Sequence, residues 1–200
     1  YDGISKLSDN RWGFFPGISA GWNVHEEAFF KDSKFAEVVS LIKPRISYGL
    51  NGNVNGIGNF DVYGKYGSVG AYNGNLGYLN TGVVNSKLRW EKSHTFELGL
   101  DLGFFNNRVH MIMDYYNRTT SDLLTDVNLP EYTGFPSFKT NLGTISNRGF
   151  ELEAKVNLLT KKDWSWDVTA NTSFVKNMVK KLPFNGNANN RQGGLSLIHI

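Results

Sequence analysis

The chain has 200 residues, no cysteine, 22 glycines and a formal net charge of +3, with both signs mixed along its length. So even a charge balance argues against a nucleic-acid binder, and without cysteine there is no disulfide framework and no thiolate chemistry. No run of about 18 apolar residues predicts a transmembrane helix, and Tyr1-Asp2-Gly3 does not read as a signal peptide.

Residues 1–11 are rich in polar residues, Gly, Asp and Asn, and read as the tail of a loop. From Trp12 the even positions Trp12, Phe14, Ile18, Ala20, Trp22 and Val24 are apolar and face away from Gly13, Gly17, Ser19 and Gly21, which predicts a strand. His25 to Ser40 shifts to helical spacing, with Ala28, Phe29, Phe35 and Val38 among Glu and Lys, and predicts one short amphipathic helix as a packed connector. Leu41 to Leu50 returns to period 2, with Ile42, Ile46, Tyr48 and Leu50 on one side and Pro44 arguing for a strand end or edge. Asn51 to Arg89, dominated by Gly, Asn and Tyr, predicts a long loop with a short hairpin inside it.

The most regular stretch is Trp90 to Leu124. Phe96, Leu98, Leu100, Leu102 and Phe104 are apolar on even positions; after Asn106-Asn107 the parity reverses to Val109, Met111, Met113 and Tyr115. Facing residues of an antiparallel hairpin share a side of the sheet, so even must face odd and the paired numbers sum to a constant odd value. A two-residue turn at Asn106-Asn107 sets Phe104 opposite Val109, Leu100 opposite Met113 and Gly99 opposite Asp114, and Asn tolerates the positive φ values that a type I′ turn requires. Thr125 to Gly143 predicts a second long loop. Two further strands follow, with Phe150 to Leu158 and Trp164 to Phe174 both apolar on even positions, so their connection is odd in length: five residues when Leu158 faces Trp164, three when Leu159 faces Asp163. Asn177 to Gly194 predicts a third polar loop, and Leu195 to Ile200 do not continue the strand pattern.

The strand from Trp90 to Phe105 reaches about 50 Å at ~3.3 Å per residue, against about 5 to 6 residues for an ordinary soluble strand. Tilted by about 45°, it rises roughly 37 Å, more than the ~25 Å apolar band of an outer-membrane barrel. The connections alternate between very short and long, with the tight turns at one end of the sheet and the long loops at the other. That asymmetry marks a membrane barrel, and a mean hydropathy of −0.35 is compatible with one because inward residues are polar. Trp90, Phe104, Tyr115, Trp164 and Phe174 are placed near strand ends as aromatic girdles. The competing fold is a soluble β-sandwich acting as a carbohydrate-binding module.

Several blocks also resemble one family. Arg11-Trp12-Gly13-Phe14-Phe15-Pro16-Gly17-Ile18-Ser19-Ala20-Gly21-Trp22, Ser47-Tyr48-Gly49 with Gly52-Asn53 and Ile57-Gly58-Asn59, Leu88-Arg89-Trp90-Glu91-Lys92, the run Leu98 to Arg108, Asp114-Tyr115-Tyr116 with Asp122-Leu123-Leu124, and Asn147-Arg148-Gly149-Phe150-Glu151-Leu152 resemble the barrel of SusC/RagA-type TonB-dependent outer-membrane transporters. The resemblance runs from Asp2 to about Leu182. It implies a barrel of about 22 strands around an N-terminal plug, in the outer membrane of a Gram-negative, Bacteroidetes-like cell. It also implies energy from the TonB complex, import of oligosaccharides or peptides, and a SusD-like surface lipoprotein as lid. The expected fold is therefore all-β: an antiparallel up-and-down transmembrane β-barrel segment, residues 1–200, with long extracellular loops and one short helix. Plug, TonB-box segment and a terminal aromatic strand are not seen in these residues, so a barrel fragment is expected, and transport belongs to the parent protein.

Other motifs carry less. Asn51, Asn53, Asn55 and Gly56 begin like an EF-hand loop, but Val62 stands where a bidentate Glu is needed. His25, His94, His110 and His199 have no metal-ligand spacing. Glu151 and Glu153 share one strand face, where carboxylates need only water, so no catalytic role, cofactor or metal is expected. Asn117-Arg118-Thr119 and Asn171-Thr172-Ser173 are formal glycosylation sequons with no meaning in a bacterium. The candidate contacts for substrate or lid are the loop aromatics Tyr63, Tyr66, Tyr72, Tyr132 and Phe135, whose flat faces stack on sugars and peptides alike.

Overall fold

A computed structural model describes residues 1–182 of the chain. Strands β1 (Asp2–Gly3) and β2 (Trp12–Gly13) form a small pair, so the leading segment folds back on itself rather than trailing as a loop. Then come β3 (Gly17–Gly21), β4 (Val39–Asn53), β5 (Tyr66–Tyr72), β6 (Asn75–Asn80), β7 (Glu91–Phe104), β8 (Val109–Asn128), β9 (Ser137–Lys161) and β10 (Trp164–Lys181). Six of these make one antiparallel sheet in the order β10-β9-β8-β7-β4-β3, an up-and-down meander, while β5 and β6 pair as a separate hairpin.

Parity organises the sheet. Ala20, Ile46, Leu98, Tyr115, Phe150 and Phe174 pair in succession across all six strands as one apolar row. The adjoining row, Gly21, Arg45, Gly99, Asp114, Glu151 and Ser173, is polar or small throughout. Among the described residues no sheet covers the apolar face: Ile18, Leu98, Val168 and Phe174 are all exposed. A sandwich buries that face, so the sheet is a single open wall.

The β7–β8 hairpin has the expected register, with Phe104 opposite Val109, Leu100 opposite Met113 and Gly99 opposite Asp114. Asn106 and Asn107 sit at φ 56° and 61°, and the Arg108 N–H closes the turn on the Phe105 carbonyl at 3.3 Å. Phe105 also has positive φ, 54°, a conformation that the sequence does not announce.

The β9–β10 turn departs from expectation. Trp164 faces Lys161 across a two-residue turn, Lys162-Asp163, and the register then shifts by one between Trp166 and Asp167, leaving Leu158 as a bulge. The bulge restores the parity match that a two-residue turn alone breaks, so Phe150 still faces Phe174 and Leu152 faces Thr172 on the apolar side.

The expected loop from Thr125 to Gly143 is mostly strand. β8 runs 20 residues and β9 runs 25, and they stay paired out to Asn128 opposite Ser137, leaving only 129–136 as the connection. Alternation fails there because this ribbon meets polar groups of the 54–90 loop and solvent, neither of which selects apolar residues. Similarly, 177–181 belong to β10 rather than to a loop; the remainder of that expected loop, with Leu195 to Ile200 and His199, lies outside the described residues.

The single helix expected over 25–40 is three short turns: Val24–Glu26, α1 (Ala28–Lys31) and Lys34–Glu37. This connector sits at the tight-turn end, where the Phe105 N–H donates to Val38 O at 2.7 Å and Ser40 Oγ donates to Asn107 Oδ1 at 2.9 Å. The long connections are thus not all at one end.

Pro44 lies in the middle of β4, not at its end. Its carbonyl accepts from Trp22 N at 3.0 Å, just past the last residue of β3. A strand residue points its N–H and C=O to the same side, so the missing donor faces the place where the β3 ladder stops and no bond is lost from the β7 side.

Candidate functional site

The loop end of the sheet is built on a compact core. Leu7, Ile57, Val62, Leu88 and Trp90 are buried together, with Ile4, Phe15, Val54 and Leu124 packed around them. Trp90 therefore belongs to an interior cluster rather than to a girdle, its ring 5.2 Å from that of Phe15 in an edge-on arrangement. Phe15 lies over the backbones of Gly13 and Gly52, where a Cβ at either position collides with its ring, so both glycines are required by close approach. Tyr115 and Phe174 stand mid-strand rather than at strand ends.

A polar clamp joins this loop to the β8–β9 ribbon. Asp61, whose side chain is 8 % exposed, pairs with Lys65 at 2.7 Å and lies 3.4 Å from Lys139 of β9, while its Oδ2 accepts the Gly58 N–H at 2.7 Å. Burial alone pushes the Asp61 carboxyl up, but the Lys65 hydrogen bond, the Gly58 N–H and the Lys139 charge together hold it below its ordinary value. Lys139 Nζ also donates to the Gly56 carbonyl, and Asn85 Nδ2 donates to Lys139 O at 2.9 Å. Nearer the membrane, buried Asn141 donates to the carbonyls of Arg89 and Asp122, both at 2.8 Å, and accepts the Arg89 N–H at 2.9 Å. Asp122 sits at positive φ in the β8 bulge, and the Arg89 guanidinium, 2.7 Å away, holds its carboxyl below the usual range.

On that platform the candidate aromatics occupy distinct positions. Asp61, Gly64 and Lys65 share a groove of about 180 Å³ with Asp126, Pro136, Ser137 and Lys139, and Tyr63, Tyr66 and half-buried Phe135 are chain neighbours of these lining residues without lining it themselves. Tyr72 is 88 % exposed beside the Asn73-Gly74 turn that closes the β5–β6 hairpin, and Tyr132 is 90 % exposed in the turn Glu131–Thr133. The structure gathers none of the five aromatics into one pocket: Tyr63, Tyr66 and Phe135 adjoin the clamp in sequence, while Tyr72 and Tyr132 stand on two separate tips. Tyr78, Leu76, Leu79 and Val69 are exposed on the same hairpin, which bears a single charge, Lys65, at its base.

The polar face of the wall holds a second cluster that the sequence reading did not single out. Arg45 donates to Asp101 Oδ1 at 2.8 Å and to Asp114 Oδ1 at 3.0 Å, tying β4, β7 and β8 together at mid-height. Its signal was the odd parity of Arg45, readable only once the β4–β7 register is known. Elsewhere Asn53, of the calcium-like run, is engaged with Glu91 at 2.6 Å, and both sequons fall within strands.

A meander of long antiparallel strands, apolar on one face and polar on the other, with tight hairpin turns at one end and docked loops at the other, defines the wall of an outer-membrane-type β-barrel. Comparison with known proteins agrees. The model of the TonB dependent receptor-like, beta-barrel family matches residues 1–196. The chain is 38% identical over 186 residues to TonB-dependent receptor P3 of Formosa agariphila, covering 91% of this chain and 18% of that protein. It is 36% identical over 191 residues to TonB-dependent receptor SusC of Bacteroides thetaiotaomicron, covering 91% and 19%. Among solved structures, that of the RagAB peptide transporter superposes with a TM-score of 0.81 at 31% identity, over 90% of this chain and 20% of that one. The chain belongs to the TonB-dependent receptor β-barrel family and is of the SusC/RagA type. It spans about a fifth of the length of these relatives.

Proposed function

We propose that this chain is part of the barrel domain of an outer-membrane importer that takes up oligosaccharides or peptides, is driven by the TonB complex through a plug outside these residues, and works with a SusD-like lipoprotein as lid. On this reading the apolar face meets membrane lipid, the polar face lines the lumen, and the loops at the clamped end are extracellular. The relatives supporting this reading are SusC and a structure described as the RagAB peptide transporter; no enzyme is among the relatives described above. The observation that carries the site assignment is the clamp of Asp61, Lys65 and Lys139, which holds a tyrosine-rich hairpin on a rigid base at the end opposite the tight turns. Tyr63, Tyr66, Tyr72, Tyr132 and Phe135 then contact the substrate or the lid.

The test is a complete transporter carrying Tyr66→Ala, Tyr72→Ala and Tyr132→Ala, with outer-membrane abundance measured beside uptake of labelled peptide and oligosaccharide and beside lipoprotein co-purification. Normal abundance with weakened uptake or lid association is expected. If both survive unchanged, the aromatics are not the contact surface.

A further inference from the structure

The connector between β3 and β4 leaves its largest apolar side chains outside the core of the described residues. Phe29 is 63% exposed and Phe35 is 74% exposed, and Val38 is exposed as well. Trp22 joins this segment to the sheet: it has the parity of Ile18 and Ala20, so it extends their apolar face past the end of β3, and its ring lies 6.2 Å from that of Phe29. The indole N–H of Trp22 donates to Glu27 Oε1 at 2.9 Å, while Lys31 and Glu26 pair at 2.7 Å. Trp164 and Trp166 are exposed at the same tight-turn end, beside the β9–β10 turn.

We propose that this connector, residues 22–38, is an interfacial membrane anchor: Trp22, Phe29 and Phe35 enter the boundary between headgroups and acyl chains in the leaflet at the tight-turn end. Continuity argues for lipid as the occupant, since Trp22 carries the lipid-facing surface of the wall directly into Phe29. The chemistry fits that boundary. An indole with an apolar body and a bonded N–H belongs there, and an amphipathic segment gains by burying its apolar side chains about 5–10 Å into the headgroup region while its charges stay wet. Breaking the segment into short turns lets it follow the rim of a barrel, which one straight helix does not.

The inference rests on the apolar face being lipid-facing, and the test separates the two. Single cysteines replace Phe29, Phe35, Glu26 and, on the apolar face of β8, Met113 in a complete transporter otherwise free of cysteine. Each is labelled with an environment-sensitive fluorophore in vesicles of phosphatidylethanolamine and phosphatidylglycerol, with spin-labelled lipids as quenchers. Probes at 29 and 35 should lose fluorescence to a label near the headgroup, the probe at 113 to one deep in the chain, and the probe at 26 to neither. Unquenched probes at 29 and 35 beside a quenched 113 overturn the anchor alone, and a blue-shifted but unquenched pair means that protein covers it. Silence at 113 as well overturns the lipid-facing reading and the anchor with it.

Discussion

Lys139 Nζ lies 3.4 Å from Asp61 Oδ2, joining the outer end of the long β8–β9 ribbon to a loop that leaves the sheet at Asn53. This contact helps place the aromatic hairpin relative to the wall, together with the core around Val62 and Leu88 and the hydrogen bonds of Asn85 to Lys139 and of Arg89 to Asn141 and Asp122. Asp61→Ala removes a shielded acceptor of one backbone N–H and of a lysine, and should loosen the loop by about 1.5–3 kcal/mol. Lys139→Met should cost less, about 1 kcal/mol, since its head group is partly hydrated. Faster amide hydrogen exchange confined to 54–90 is the expected readout in a complete transporter. Uniform exchange across β7 and β8 instead means that the barrel itself has opened.

The same clamp predicts acid sensitivity. Asp61 and Asp122 both have carboxyls held below the ordinary aspartate value of 3.8 in the folded chain. Their folded pKa is lower than their unfolded one, so they contribute stability fully above 3.8, and that contribution is lost as pH falls from there through the lower folded values. Proteolysis of the 54–90 loop should therefore be flat from neutral pH down to about 5 and rise below about 4. Asp61→Asn should abolish much of the rise; an unchanged profile in that variant means other groups govern it.

Side-chain chemistry should divide by parity. Leu100→Arg or Leu152→Arg puts a charge against hydrocarbon and should cost about 2–4 kcal/mol near the midplane, read as loss of assembled barrel. Glu97→Arg and Glu153→Arg lie on the polar face and should cost far less. Equal losses from both sets contradict the two faces.

Expressed alone, the 200 residues should collect in inclusion bodies. β3 and β10 are edges of the sheet, and the row from Ala20 to Phe174 lies open to water, two features that invite edge pairing and aggregation. A soluble monomer with a cooperative thermal transition is the opposite outcome.

Where one face meets an apolar phase, the sequence was legible. Phe96 to Phe104 and Val109 to Tyr115 alternate strictly, and with Asn106-Asn107 they determine the register to the residue. Parity cannot place a bulge, so the skip at Leu158 was invisible and the β9–β10 turn was misjudged by three residues or one. It was also silent along Thr125–Asn128 and Ser137–Thr140, where the neighbours are a polar loop and solvent, and in the core of Leu7, Ile57, Val62 and Leu88, which come from irregular segments with no period. The tyrosines were visible as composition, but Asp61 and Lys139, distant in sequence, gave no sign of meeting.

The central claim is that the β5–β6 hairpin is the working surface of an importer and not a spacer. Thr81 N donates to Lys65 O at 2.7 Å, so residues 66–80 can be removed and the ends rejoined by one or two glycines without disturbing Val62, Asp61 or Lys65. In a complete transporter this deletion should leave outer-membrane abundance and heat-modifiable barrel mobility unchanged while substrate uptake or association with the lid lipoprotein falls. Unchanged uptake together with unchanged lid association contradicts the account.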